Sequence, residues 1–245
     1  MIQSMKYESG QLELLRWIAI VGMVLDHLLT LGVMRDLFPR GESLQWISTI
    51  GRGVFPIFAF LLAHNYVYFT KSKKDYIKRL FYFALISQLF FTHAYGGSLP
   101  LNIMFTLTFG LSLVFIIEMI RGDEENIFIN KAVLYAGAVL IAAFSYFVDY
   151  YIFGVLLIVS AYFIMVGKNK PLWMLFFVSL AIAPNVPLMA LGYSMHVIFS
   201  IILTLGIILA IKSFNIKIPR SNKWFFYIFY PAHIVVIDML LRINY

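Results

Sequence analysis

Apolar stretches about twenty residues long recur along this chain, each closed by a short polar, proline- or glycine-containing connector. A helix rises about 1.5 Å per residue, so roughly 20 apolar residues cross the ~30 Å hydrocarbon core of a bilayer. Nine runs of this kind can be read: Leu14 to Met34, Trp46 to Phe69, Ile77 to His93, Leu101 to Ile120, Ile129 to Phe147, Tyr150 to Val166, Leu172 to Pro187, Tyr193 to Ile211 and Trp224 to Ile243. The sixth and seventh are short. The pattern predicts an all-α fold: a polytopic integral membrane helical bundle of about nine transmembrane helices, forming a single domain over residues 1–245. The first run exceeds the core of a signal peptide and lacks a small-residue cleavage site, so it is expected to remain as the first helix.

Composition sharpens this picture. Hydrophobic residues make up 62% of the 245 and charged ones 13%, with a mean hydropathy of +0.87, a balance that requires lipid as solvent. The net charge of +7 raises nucleic acid as a partner, but the basic residues sit in the short connectors, where the positive-inside rule accounts for them, so no nucleic acid is expected. With the N-terminus cytoplasmic, fourteen of the nineteen Lys and Arg fall on the inner side, including Lys71, Lys73, Lys74, Lys78 and Arg79. Only Arg35, Arg40 and Arg242 fall on the outer side, and Arg16 and Arg52 lie within helices. An odd helix count with the C-terminus outside follows. The absence of cysteine excludes a thiolate nucleophile, an acyl-thioester on the protein and Cys-ligated zinc.

An ionisable side chain in hydrocarbon costs at least a few kcal/mol, so each one within a run is a candidate for chemistry. These are Arg16, Asp26, His27, Arg52, His64, His233 and Asp238. Arg16 and His27 are eleven residues apart, three turns, so they share a face about 16 Å apart along the helix. Arg52 enters from the opposite side and reaches the depth of Asp26 and His27, which predicts one buried cluster. Histidine accepts and returns a proton near neutral pH, and a neighbouring carboxylate or guanidinium orients it or steadies developing charge. An interhelical hydrogen bond with no catalytic role is the alternative. Either Asp26 fixes the His27 tautomer or it pairs with Arg52. His64 is expected near an interface, His233 to pack or to supply a second polar contact, and Asp238 to partner His196 or Arg52. Asn102, Asp149, His196 and His93 are expected at solvated outer helix ends. No ligand spacing argues for a metal, and no glycine-rich phosphate loop is present.

The segment from Leu15 to His27, reading LRWIAIVGMVLDH, resembles the opening helix of the TraX family, and Gly51 to Leu62, GRGVFPIFAFLL, is similar to that family's arginine-and-FPIFAF block. Arg79 to Gln88, Asn102 to Gly110, Asp149 to Leu156 and Phe229 to His233 also fit, whereas Pro171 to Lys223 carries no recognised signature. The resemblance implies a bacterial inner-membrane protein linked to N-terminal acetylation of conjugative pilin, related to a wider group of transmembrane acyltransferases that includes O-antigen and peptidoglycan O-acetylases. In the O-acetylase branch an arginine and a histidine with ten residues between them are functional, and Arg16 and His27 match that spacing. His27 is then the implied catalytic residue, with acetyl-CoA as donor. The extra helices and soluble domains of larger relatives are absent, so their acceptor sites do not transfer.

The expectation is therefore an acyltransferase in which His27, Asp26 and Arg52 form the catalytic group. Arg16, Lys71, Lys73 and Lys74 would hold the anionic donor at the cytoplasmic side, and the acceptor would be an envelope amine or hydroxyl. Two other classes fit the buried charges: a small transporter or flippase, and a non-catalytic pilus-assembly factor.

Overall fold

The structure, a computed structural model, describes residues 6–31, 42–97, 100–122 and 131–243, without the side chains of 42–50, 223 and 243. The connector containing Arg35 and Arg40 and the expected start of the fifth run at Ile129 lie outside the described residues. Most of the described residues are helical. The helices are α1 Ser9–Thr30, α2 Glu42–Tyr68, α3 Lys73–Ala94, α4 Ile103–Arg121, α5 Lys131–Phe144, α6 Tyr151–Val166, α7 Lys170–Ile182, the single turn α8 Val186–Leu188, α9 Ser194–Ile211 and α10 Lys223–Ile243.

Each expected apolar run coincides with a helix, but several helices begin earlier. α1 starts at Ser9, α2 at Glu42 and α3 at Lys73, and at α1 and α3 the polar first turns satisfy their own caps. The Gln11 side chain accepts the Glu8 N–H at 2.9 Å, and Ser72 accepts from Asp75 N–H at 3.4 Å. The seventh and eighth runs are joined by helical turns of changing pitch instead of an open connector. A 3-10 turn Ala183–Asn185, α8 and a π turn Met189–Tyr193 carry the chain from α7 into α9. Pro184 and Pro187 each lack the N–H that a regular helix needs there, and Gly192 adopts φ 95, a left-handed conformation that favours glycine.

Among the described residues, Ile103–Arg121, the composite run Lys170–Ile211 and Trp224–Arg242 are long and apolar enough to cross a membrane. α1 and α3 are each 22 residues long but hold charged side chains. The outer surface agrees with a lipid solvent. On α3 the buried residues Leu80, Ala84, Ser87 and Phe91 follow a helical period, while Tyr82, Leu85, Ile86 and Leu89 on the other faces are exposed and equally apolar. α3 thus carries apolar residues on both its buried and its exposed faces, a pattern suited to a helix with protein on one side and lipid on the other.

α2 is the central element, packed against α1, α6 and α9, with Phe55, Ala59, Phe60, Ala63 and Tyr66 in the core. Small residues allow the close crossings. A Cβ at Gly53 would lie 2.8 Å from Ser200 Oγ and 3.1 Å from its carbonyl oxygen, and Thr204 Oγ1 donates to the Gly53 carbonyl at 3.1 Å. α3 packs between α4 and α10, and α6 between α4 and α7.

Buried polar groups fasten the end at which α1 begins. Tyr7 N–H donates to His64 Nε2 at 3.0 Å and its hydroxyl to the Ile208 carbonyl at 2.9 Å. His64 is thus fully buried within the protein, because the segment before α1 folds over it. Glu118 near the end of α4 accepts from Lys73 at 2.8 Å, Tyr66 at 2.8 Å and Tyr162 at 3.0 Å, drawing four helices together.

Candidate functional site

Two cavities open between the helices, and they share a wall. The larger, about 440 Å³, lies at the end where α1 begins and is lined by α1, α2, α3, α4, α10 and the stretch before α10. Its cations are Arg16, Lys71, Arg79 and Arg220, and its aromatic residues include Tyr76, Trp224 and Tyr227. Deeper in, Ile20, Leu61, Leu62, Met104 and Leu107 make the lining apolar. The smaller, about 250 Å³, lies toward the far end of α1 and holds Asp26, His27, Arg52, Asp149 and Tyr150. Met23, Phe58, Ile103 and Tyr230 line both, so a neck of these four side chains, three of them apolar, stands between a cation-rimmed chamber and one containing titratable groups.

Arg16 is held firmly. Only 9% of it is exposed; its Nη1 donates to Glu13 Oε2 at 3.0 Å, its Nη2 to Asn65 Oδ1 at 3.2 Å, and its guanidinium lies 5.2 Å from the Phe226 ring centroid. Glu13 is fully buried and also accepts from the Ser221 hydroxyl, which fixes the chain just before α10 against α1. Glu13 stands one residue ahead of the first apolar run, where a carboxylate reads from sequence as a headgroup-side residue. Of the lysines expected beside Arg16, Lys71 lines the chamber. Lys73 turns instead to Glu118, and Lys74 is exposed and outside the lining. Arg79 and Arg220 take part in their place.

The smaller chamber brings together Asp26, His27 and Arg52, as the depth comparison anticipates. Asp26 packs on the bare backbone of Gly51, where an added Cβ would lie 2.6 Å from the Asp26 Cβ. Pro56 has no N–H to offer the Arg52 carbonyl one turn earlier, which loosens α2 at the chamber wall. Asp149 enters from the connector before α6. Its carbonyl accepts from Thr106 Oγ1 at 2.6 Å and its Oδ1 from Tyr150 N–H at 3.0 Å. Burial pushes its carboxyl up to about 6, while the charge of Arg52 pulls it down. Tyr150 and Tyr151 both sit at positive φ, 62 and 52, a conformation that costs a non-glycine residue about 1–2 kcal/mol, and stacking of Tyr150 on Phe55 at 4.3 Å holds the first of them. Such strain is common where backbone must deliver a side chain to a site.

His27 has a partner that sequence spacing does not reveal. Its Nδ1 lies 2.8 Å from His233 Nε2, with the rings 5.0 Å apart between centroids and 9° from parallel, and His233 Nδ1 lies 3.0 Å from the Phe229 carbonyl oxygen. Of the two alternatives left open for Asp26, fixing the His27 tautomer falls instead to His233. Asp238 also departs from expectation. It accepts from Arg242 Nε at 3.0 Å, one turn on, and lies 3.5 Å from His93 Nε2, not beside His196 or Arg52. Asn102, expected to be solvated, is fully buried: it caps α4 by accepting from Met104 N–H at 2.9 Å and donates to the Ala84 carbonyl and Gln88 Oε1.

Apolar outer faces, helices long enough to span, and chambers between them that hold charged side chains define a helical integral membrane protein. The family model described as TraX protein matches residues 11–241, nearly the whole chain, and the chain belongs to the TraX family. No curated protein and no solved structure matches it.

Proposed function

We propose that this protein is a membrane-embedded acyltransferase that takes an acetyl or other short acyl group from cytoplasmic acyl-CoA and delivers it to an amine or hydroxyl acceptor at the opposite side of the bacterial inner membrane. The observation that carries the reading is the pair of cavities meeting at one neck, cationic on one side and holding His27 on the other. In this reading about nine helices cross the membrane, with the N-terminus cytoplasmic. The pilin amino terminus suggested by the family resemblance remains the first acceptor to test.

The larger chamber suits the donor chemically. Arg16, Lys71, Arg79 and Arg220 offer charge to phosphates, aromatic side chains offer stacking to a base, and the apolar depth suits a pantetheine arm. His27 removes the proton from the acceptor as its nitrogen or oxygen bonds to the acyl carbon. Arg52 faces the charge that develops on the carbonyl oxygen. As the carbon–sulfur bond breaks, His27 returns the proton to the departing thiolate, so no proton is gained or lost across the step.

Purified protein is expected to bind CoA and to release it from acetyl-CoA. Arg16→Ala should raise the Michaelis constant for the donor more than it slows turnover. His27→Ala should keep donor binding and lose transfer by 10²- to 10⁴-fold, the usual worth of a general base. His27→Asn should be equally inactive, because an amide cannot take a proton. A folded His27→Asn protein with near-normal transfer would remove His27 from the mechanism.

A second reading has one observation in its favour. Two chambers back to back, in a fold that also carries an irregular helical run between α7 and α9, suit a transporter as well. Passage of an intact solute without acyl transfer would distinguish it.

A further inference from the structure

We infer that His233 is the positioning residue for His27, fixing the base in the one neutral tautomer that can accept a proton from the acceptor. The inference rests on the acyltransferase reading above and adds to it a residue whose pairing with His27 the sequence spacing does not give.

The chain of donors and acceptors has a single direction. A backbone carbonyl only accepts, so the contact of 3.0 Å between His233 Nδ1 and the Phe229 oxygen requires the proton on His233 Nδ1. In a neutral ring Nε2 then carries the lone pair. That nitrogen lies 2.8 Å from His27 Nδ1, so His27 Nδ1 must hold its proton and donate it. The remaining nitrogen of His27, Nε2, is left with a lone pair on a ring that lines the outer chamber. Three groups from two helices thus define which atom of His27 is the base.

The local sequence builds this device on α10. Phe229 and His233 are one turn apart, which brings the imidazole back over its own helix, and the Phe229 ring stacks on it at 5.3 Å and 6°. Pro231 lies between them, within the helix. His233 is only 7% exposed, and its ring is held on one side by Phe229 and on another by Tyr230 at 5.4 Å. A hydrogen bond to such a fixed ring costs His27 little further ordering.

The arrangement does what the carboxylate does in a Ser-His-Asp triad, with a neutral acceptor in its place. A carboxylate here would be a permanent charge surrounded by aromatic rings, which is costly without a partner. A neutral imidazole avoids that cost in the resting state. When His27 takes a proton and becomes a cation, its Nδ1–H donates more strongly to His233, and the Phe229 carbonyl takes the polarisation passed along. His233 itself need not gain or lose a proton. This separates positioning from proton relay.

The test uses the full-length protein in lipid vesicles with acetyl-CoA. Glutamine at 233 extends an oxygen to about the place of Nε2, so His233→Gln keeps an acceptor for His27 Nδ1–H but cannot shuttle a proton. His233→Gln is expected to retain turnover within about fivefold of wild type. His233→Leu, which fills the space but accepts nothing, is expected to lower kcat on the order of 10²-fold with the donor Michaelis constant unchanged, since the loss falls on the general-base step. If Leu is as active as wild type, or Gln as inactive as Leu, the positioning role is wrong.

Nitrogen-15 NMR of the histidine-labelled wild-type protein tests the same claim without a variant. A protonated Nδ1 and unprotonated Nε2 on His27 are expected at neutral pH, and the opposite tautomer overturns the inference. Failure of the underlying acyltransferase reading looks different. In that case wild-type protein shows no acetyl transfer, whichever tautomer His27 adopts.

Discussion

Replacing Gly51 by alanine tests the geometry of the smaller chamber, where α1 and α2 approach closely. The added Cβ would stand 2.6 Å from the Cβ of Asp26, about 1 Å inside an ordinary carbon–carbon contact of roughly 3.5–4.0 Å. The clash falls at the root of the Asp26 side chain, so a change of its outer torsion cannot relieve it. α1 and α2 must separate by about 1 Å, or Asp26 and the neighbouring His27 must shift along the helix. Overpacking of this kind costs about 1–3 kcal/mol, which leaves most proteins folded. A displacement of about 1 Å at a reacting group, however, costs on the order of 10²-fold in rate. Gly51→Ala should therefore give a modest fall in melting temperature in detergent and a far larger fall in kcat, with the donor Michaelis constant little changed because Gly51 does not line the donor chamber. Asp26→Gly in the same chain should restore stability, with a coupling of 1 kcal/mol or more between the two positions. Unchanged stability and turnover in Gly51→Ala would show that α1 and α2 do not approach this closely, and the assembly of Asp26, His27 and Arg52 would have to be abandoned.

Glu13→Gln leaves Arg16 buried without a counter-charge, so it should destabilise the protein by about 3–5 kcal/mol, yet CoA should raise its melting temperature by more than it does for wild type; equal shifts would place the donor away from Arg16. Asp149→Asn addresses pH. A folded-state pKa raised to about 6 means the acid stabilises the fold at low pH and loses that contribution as pH rises through 4 to 6, so in melts across that range the variant should gain on wild type, approaching about 3 kcal/mol above pH 7, and a constant difference would contradict the burial of that carboxyl. Met23→Trp fills the neck between the chambers and should keep CoA binding while removing transfer; full transfer would mean the acyl group takes another route.

The helices were legible because twenty-residue apolar runs have few alternatives in lipid, and the runs through Leu101 and Trp224 begin within two residues of α4 and α10. Their polar ends were not, since Ser9 to Glu13 and Lys73 to Tyr76 look like connectors until caps and packing order them. Depth alone was enough to bring Asp26, His27 and Arg52 to one level, because antiparallel neighbours must match in height. Depth does not say that α10 also faces α1, so the sequence leaves His233 between packing and a second polar contact, and only the fold pairs it with His27. Asp238 was misassigned for a related reason: its partner Arg242 lies four residues on, the nearest helical neighbour, whereas depth favoured distant ones. Lys73 and Glu118 are 45 residues apart, and only the packing of α3 on α4 makes them a pair.

The most direct measurement is the fate of a carbon-labelled acetyl group across a sealed bilayer. Protein reconstituted with the start of α1 facing the bath is given labelled acetyl-CoA outside and a short peptide with a free amino terminus inside. Free CoA should appear in the bath while the label appears in the lumen, on the peptide or as acetate, and His27→Ala should abolish both. CoA release with the label left in the bath, or release that persists without His27, would contradict transfer through the His27 chamber.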